Sequence, residues 1–465
     1  MASRVSRGIA RTIKGPRFAN QFASQAAARQ SDDSSLVNQP PKLTKLPSGV
    51  IVASVENNSP ISRVAVAVNA GSRFEDADNL GITHCLRVAA GLTNANSTSF
   101  GIARSIQQEG AQLTCTTSRE YIYYTVDCIR DNVDSTIKFL RDITTAPAFK
   151  KWEVAKLGEK LEIDLAAFYQ QHAARSFDLL HQAAFRSTLG RSLYSPEVTL
   201  GRISSGQLLN YVQTHYTNGR VAIVGVGIDH DQLVDEANKF NFFPAGPVAA
   251  EKATYGGGEI RINTGSGPTA VSVAVEGPSY LPRSKGLAAK DLLHAGVLQY
   301  VMGSGPFIKY SNDSLVPRLG QAVAQATTEP FSVSCFNANY TDAGLFGFTA
   351  ISQGTAIEKV LKSAFSQFAS VTKGGITDKE VARAKKQLKA SLYFYLESGD
   401  NLLTDLAEQA LGHQQIVNPE EIAKQIDAIT TNDVVNVAKR IINSRPSMAV
   451  VGDTARTPYI DDLYR

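Results

Sequence analysis

RVAVAVNAGSR (63–73) and AVSVAVEGPSY (270–280) carry one pattern twice. In the first stretch Val64, Val66 and Val68 alternate with other residues ahead of a glycine; in the second, Val271, Val273 and Val275 do the same. Period-two alternation places one set of side chains on one face of an extended strand, and the glycine marks a turn. Each stretch therefore predicts a β-strand with a buried face.

The elements after each strand repeat too. A helix is expected over ITHCLRVAAGL (82–92) in the first half and over AKDLLHAGVLQYVMG (289–303) in the second. A hairpin comes next, QLTCTTSREYIYYTVDC (112–128) and FSVSCFNANYTDAGLFGFTAIS (331–352), with Cys115 and Cys335 in matching places shortly before a polar turn. An amphipathic helix then begins, clearest in the spacing of Ile357, Val360, Leu361, Ala364, Phe365 and Phe368. Long helical regions come after it at 150–185 and 377–412, the latter opening on the capping-box pattern Thr377-Asp378-Lys379-Glu380. Each half closes on a strand, RVAIVGVGI (220–228) and SMAVVG (447–452).

This order implies an α+β fold: two tandem homologous α/β-sandwich domains, each with helices packed on one face of a sheet. The expected boundaries are 36–243 and 257–465, joined by a Pro/Gly-rich linker over 244–256. Each half, at about 200 residues, is long enough to bury its own core.

Residues 1–35 read as a targeting segment. Arg4, Arg7, Arg11 and Lys14 fall on one side of a helix with Val5, Ile9 and Ile13 opposite, and the first 31 residues hold no acid. A basic amphipathic start without a continuous apolar run fits a mitochondrial transit peptide. Setting its six basic residues aside leaves 41 basic residues against 43 acidic, so the charge moves from +4 to −2. The remainder lacks the positive field that nucleic-acid binding requires. No apolar run approaches the ~18 residues of a membrane span. Four cysteines without a CxxC pair read as thiols in a reducing compartment.

The residues that bear on chemistry are Gly81-Ile82-Thr83-His84-Cys85-Leu86-Arg87-Val88, on the helix after the first strand. The arrangement resembles the pitrilysin family of zinc metallopeptidases and its mitochondrial processing peptidase branch, which present H-x-x-E-H at this place. The resemblance implies the pitrilysin-type fold, two histidine ligands one helical turn apart, a glutamate that activates the zinc-bound water, and a third ligand on a later helix. His84 stands at the first histidine, Arg87 at the glutamate and Val88 at the second histidine. Valine has no lone pair, and arginine holds a permanent positive charge where a divalent cation would sit. Loss of the general base alone removes about 10²–10⁴ of rate. On the later helix Glu153, Glu159 and Glu162 are candidate third ligands; counting seven on from Glu153 lands on Lys160, so they read as a solvated face. The expectation is no catalytic residue, no metal and no cofactor, with His84 bonded locally inside its helix.

The resemblance runs through nearly the whole chain after residue 40. In the segments SREYIYYTVDCIRDNVDSTIKFLRDITTAPAFKKWEVA (118–155), YGGGEIR (255–261), PFSVSCFNANYTDAGLFGFTAISQ (330–353) and SMAVVGDTARTPYIDDL (447–463) the chain resembles the non-catalytic core proteins of mitochondrial ubiquinol–cytochrome c reductase, respiratory complex III. It implies a peripheral subunit on the matrix side of the inner membrane, serving assembly and stability. Its implied partners are core protein 1 and the cytochrome b, cytochrome c-type and Rieske subunits. The alternative it leaves is the non-catalytic, substrate-binding chain of a matrix processing peptidase. That chain carries a long glycine-rich loop where VMGSGPFIKYSND (301–313) is short and glycine-poor.

Overall fold

Eleven strands among the described residues form two sheets of matching topology. The computed structural model describes residues 39–244, 251–265, 267–280, 290–305 and 317–463; the transit-peptide reading of 1–35, much of the linker and most of the loop at 301–313 lie outside them.

In the first half the chain runs through β1 (Lys42–Lys45), β2 (Ile51–Val55), β3 (Ile61–Val68), α1 (Ile82–Val88), α2 (Ser99–Gln108), β4 (Gln112–Thr117) and β5 (Ile122–Ile129). Then come α3 (Val133–Thr145), α4 (Lys151–Ala155), α5 (Leu157–Gln170), α6 (His172–Phe185), α7 (Ser205–His215), β6 (Val221–Val226) and α8 (His230–Ala237). The second half holds β7 (Gly258–Asn263), β8 (Thr269–Glu276), α9 (Lys290–Met302), α10 (Arg318–Ala326), β9 (Phe331–Asn339) and β10 (Gly344–Ser352). It ends with α11 (Ile357–Thr372), α12 (Asp378–Glu397), α13 (Gly399–His413), α14 (Pro419–Ala428), α15 (Thr431–Ile442), β11 (Ser447–Gly452) and α16 (Ile460–Leu463).

The sheets are ordered β1-β2-β6-β3-β5-β4 and β7-β11-β8-β10-β9. Remove β1 and the orders superimpose. The β2–β6 and β7–β11 pairs are parallel, and the other pairs are antiparallel. Register matches as well: Cys115, Tyr124, Val66 and Ile223 form one rung, and Cys335, Phe348, Val273 and Met448 form its counterpart. The alternating valines thus mark the middle strand of each sheet. The strands β2 and β7 escaped sequence reading; each joins the body of its sheet through a parallel partner about 170–190 residues away in the chain.

The expectation of helices on one sheet face needs correction. Val64, Val66 and Val68 point into a core shared with α1, α3 and α7. Ala65 and Ala67 on the opposite face are just as buried, packed against Leu403, Leu406, Ala407 and Ala410 of α13. The second sheet mirrors this: Ala274, Ala449 and Val451 pack against Leu179, Leu180, Ala184 and Phe185 of α6. Each half covers the outer face of the other's sheet. A strand buried on both faces reads as a nearly continuous apolar run, and VAVAV (64–68) in β3 is one.

Residues 40–465 form one compact unit, and buried charge adds to its helix exchange. The Arg73 guanidinium meets Asp342 through two hydrogen bonds of 2.6 and 2.9 Å and Glu120 through one of 2.6 Å. Thr341 donates to Glu120 from both its amide and its hydroxyl. Arg119 pairs with Asp178 at 2.8 Å. These groups are nearly shut from water, so each charge depends on its partners.

Candidate functional site

His84 sits in the third position of α1 and is fully buried. The turn into the helix depends on Gly81, whose φ of +87° favours glycine and whose Cβ, if present, would collide with Ser195. That close approach brings the Ser195 hydroxyl onto the Gly81 carbonyl at 3.0 Å. Glu75 fixes the same turn by accepting from the amides of Gly81 and Thr83 and from the Thr83 hydroxyl. Burial pushes the Glu75 carboxyl up to about 7, against the pull of those hydrogen bonds.

Both imidazole nitrogens of His84 are committed. The Ser195 amide donates to Nδ1 at 3.1 Å, so the proton resides on Nε2, which donates to Asp164 Oδ2 at 3.0 Å. Burial lowers the His84 pKa, outweighing the support of Asp164, with the Arg87 charge acting in the same direction as burial. The ring is therefore neutral near pH 7. Arg87 donates to the same Asp164 oxygen at 2.7 Å, and its guanidinium lies 5.0 Å from the centre of the Tyr194 ring. Burial would raise the Asp164 carboxyl; hydrogen bonding from His84 and the Arg87 charge prevail and hold it below its usual range. Tyr194 stacks on Phe168 at 4.0 Å and meets His84 edge-on at 5.2 Å, closing the site.

These residues do not fit a zinc ion. A metal would need an imidazole lone pair, but Nδ1 uses its own on a peptide N–H and Nε2 is protonated. Arg87 already supplies positive charge to Asp164. Val88 packs against the first core. Glu153 is spent on the Thr93 and Ser99 hydroxyls and the Thr93 amide. Glu159, Glu162 and Lys160 are exposed. Among the described residues no group of three or more His, Cys, Asp and Glu side chains could hold a metal.

The expected local bonding of His84 is corrected: its partners lie 80 and 111 residues away in the chain. Sequence reading missed Asp164, and a signal for it existed. Leu157, Leu161, Leu165 and Phe168 form the buried stripe of α5, and Asp164 lies beside that stripe at helical spacing. An acid there asks for a partner.

Fold and site together define a duplicated α+β scaffold that carries a His–Asp–Arg cluster on the helix after the middle strand of its first half. Comparison with known proteins agrees. Residues 51–197 match the family described as insulinase (peptidase family M16), and residues 202–388 match the peptidase M16 inactive domain. Cytochrome b-c1 complex subunit 2 of Homo sapiens is 37% identical over 96% of this chain and 98% of its own. The Mus musculus protein of the same name is 38% identical over 91% and 92%. The probable mitochondrial-processing peptidase subunit alpha-1 of Arabidopsis thaliana is 27% identical over 91% and 84%. The chain belongs to the M16 peptidase family, in its cytochrome b-c1 complex subunit 2 branch.

Proposed function

We propose that this chain is a non-catalytic core subunit of mitochondrial ubiquinol–cytochrome c reductase, serving assembly and stability of the complex. The observation that carries the non-catalytic reading is the His84–Asp164–Arg87 cluster, which leaves no imidazole lone pair for a metal and no carboxylate in the place of the general base. Near end-to-end similarity to subunit 2 of the cytochrome b-c1 complex supports membership of that complex. Its partners are core protein 1 and the cytochrome b, cytochrome c-type and Rieske subunits, and it needs no cofactor of its own. No helix among the described residues is long and apolar enough to cross a membrane, which suits a peripheral position on the matrix side of the inner membrane. Residues 1–35 act as the transit peptide, and 244–256 link domains spanning 36–243 and 257–465.

The test is purification of the tagged full chain from mitochondria under mild detergent, with absorption spectra of the eluate. Cytochrome b and c1 bands should accompany it. Recovery only in a soluble pair that cleaves presequences would overturn the assignment and favour the processing-peptidase reading, to which the 27% similarity points.

A further inference from the structure

A cavity of about 770 Å³ lies where α13 and the two hairpin turns meet α9 and α14. Cavities of about 300–1,000 Å³ suit small-molecule ligands. We propose that this cavity binds an amphiphilic organic amine, a protonated amino group carried on a short apolar body. The reading does not rest on membership of a respiratory complex, and the cavity shares no lining residue with the His84 cluster.

Charge chooses the cation. Glu408 and Asp405 stand one helical turn apart on α13 and both line the cavity. The hydrogen-bond partner of Glu408 is the Tyr123 hydroxyl, and that of Asp405 is the Gln409 amide; both donors are neutral. Two carboxyls so placed, without an ion-pair partner among the described residues, are costly to ionise until positive charge arrives. Glu120 adds a third carboxyl to the wall, already paired with Arg73.

The aromatic wall points the same way. Tyr121 is only 6% exposed, lines the cavity, and has a hydroxyl with no hydrogen-bond partner among the described residues. That hydroxyl lies beside Gly412 of α13, where the absent side chain leaves room. The Tyr280 ring also lines the cavity, edge-on to His413. Tyrosine faces next to carboxylates attract ammonium groups by both the ring quadrupole and charge. Leu293, Val417, Ile422 and Ile429 supply apolar wall for the body of the ligand. Lys290 and His294 also line the cavity, on α9; Asp433 lines it with them, and Asp291 stands 3.4 Å from His294.

Calorimetric titration of the full chain with n-hexylamine, n-hexanol and hexyltrimethylammonium tests this. The amine should bind with a dissociation constant of about 1 mM, roughly tenfold tighter than the alcohol. The quaternary ion, which donates no hydrogen bond, should fall between them. Glu408→Gln and Asp405→Asn should each weaken hexylamine about tenfold, and Arg87→Gln should leave it unchanged. Tyr121→Phe deletes one oxygen without touching a charge; it should weaken the amine about threefold and keeps the test open if an acid variant fails to fold. Equal affinity for amine and alcohol would overturn the proposal, as would indifference to all three cavity variants. So would binding of an arginine-rich peptide or a phosphoethanolamine lipid in place of the amine.

Discussion

The helix after the middle strand packs on a later helix in both halves, and the two contacts differ in kind. In the first half α1 meets α5 through His84, Arg87 and Asp164. In the second half α9 meets α12 through apolar groups: a side chain at Gly296 would touch Leu388 at 3.4 Å, and Leu293 and Leu388 pack on the core formed by Ala295, Val297 and Leu298. The second-half contact thus has apolar groups at its centre where the first half places a charged cluster. On the proposed reading, the first-half cluster occupies the place of a metal site rather than answering a demand of the scaffold. With the Asp164 side chain 45% exposed, its ion pair with Arg87 is a weak source of stability.

Variants can break or sharpen this comparison. The largest effect should come from the exchanged helices. Leu180→Ala on α6 should cost about 2–5 kcal/mol, and hydrogen exchange should rise in β8 and β11 of the second sheet before β3 and β6. Leu406→Ala on α13 should do the reverse, loosening β2 and β6. If each change loosened only the sheet of its own half, the reciprocal packing would be wrong.

Next is the cluster itself. Asp164→Ala leaves the His84 N–H buried without an acceptor and should cost about 1–3 kcal/mol. Leucine at 84, 87 and 164 together should recover stability to within about 1 kcal/mol of the parent chain, as the apolar second half suggests. A triple variant as unstable as Asp164→Ala would show that the polarity is structural after all.

A smaller effect is expected at the junction. Burial raises Glu408 from 4.5 to about 7, with Asp405 and Glu120 adding to the rise and Tyr123 opposing it. A carboxyl raised on folding takes up a proton, so its contribution is fully present below about pH 4.5 and lost as pH rises towards 7. Glu408→Gln removes that loss. Its stability relative to the parent should therefore improve between pH 5 and 8 by on the order of 1–2 kcal/mol in thermal or denaturant unfolding. Glu75 titrates in both proteins and cancels from the difference. A flat difference would mean that Glu408 is solvated. The smallest effect belongs to Glu159→Gln and Glu162→Gln, each within about 0.5 kcal/mol, since both carboxylates lie in water.

Much of the fold was legible because it is local. Alternating valines name β3 and β8, and spacing of apolar residues names α11. The helix exchange was not legible: Ala65 and Ala67 announce a second buried face, but nothing in a strand says which helix will cover it. At the site, Arg87 and Val88 speak directly because their chemistry forbids a role. Asp164 stayed silent because its meaning lies in distance to His84 and Arg87, which only the packing of α1 on α5 creates. The same holds for the cavity, whose walls come from residues as far apart in the chain as Ser118 and Asp433.

The central claim, that a His–Asp–Arg cluster fills the place of a peptidase metal, is tested most directly by metal analysis of the purified full chain equilibrated with excess zinc and desalted. The account expects far less than one zinc per chain, with no change on His84→Ala. About one zinc per chain, lost on His84→Ala, would contradict it.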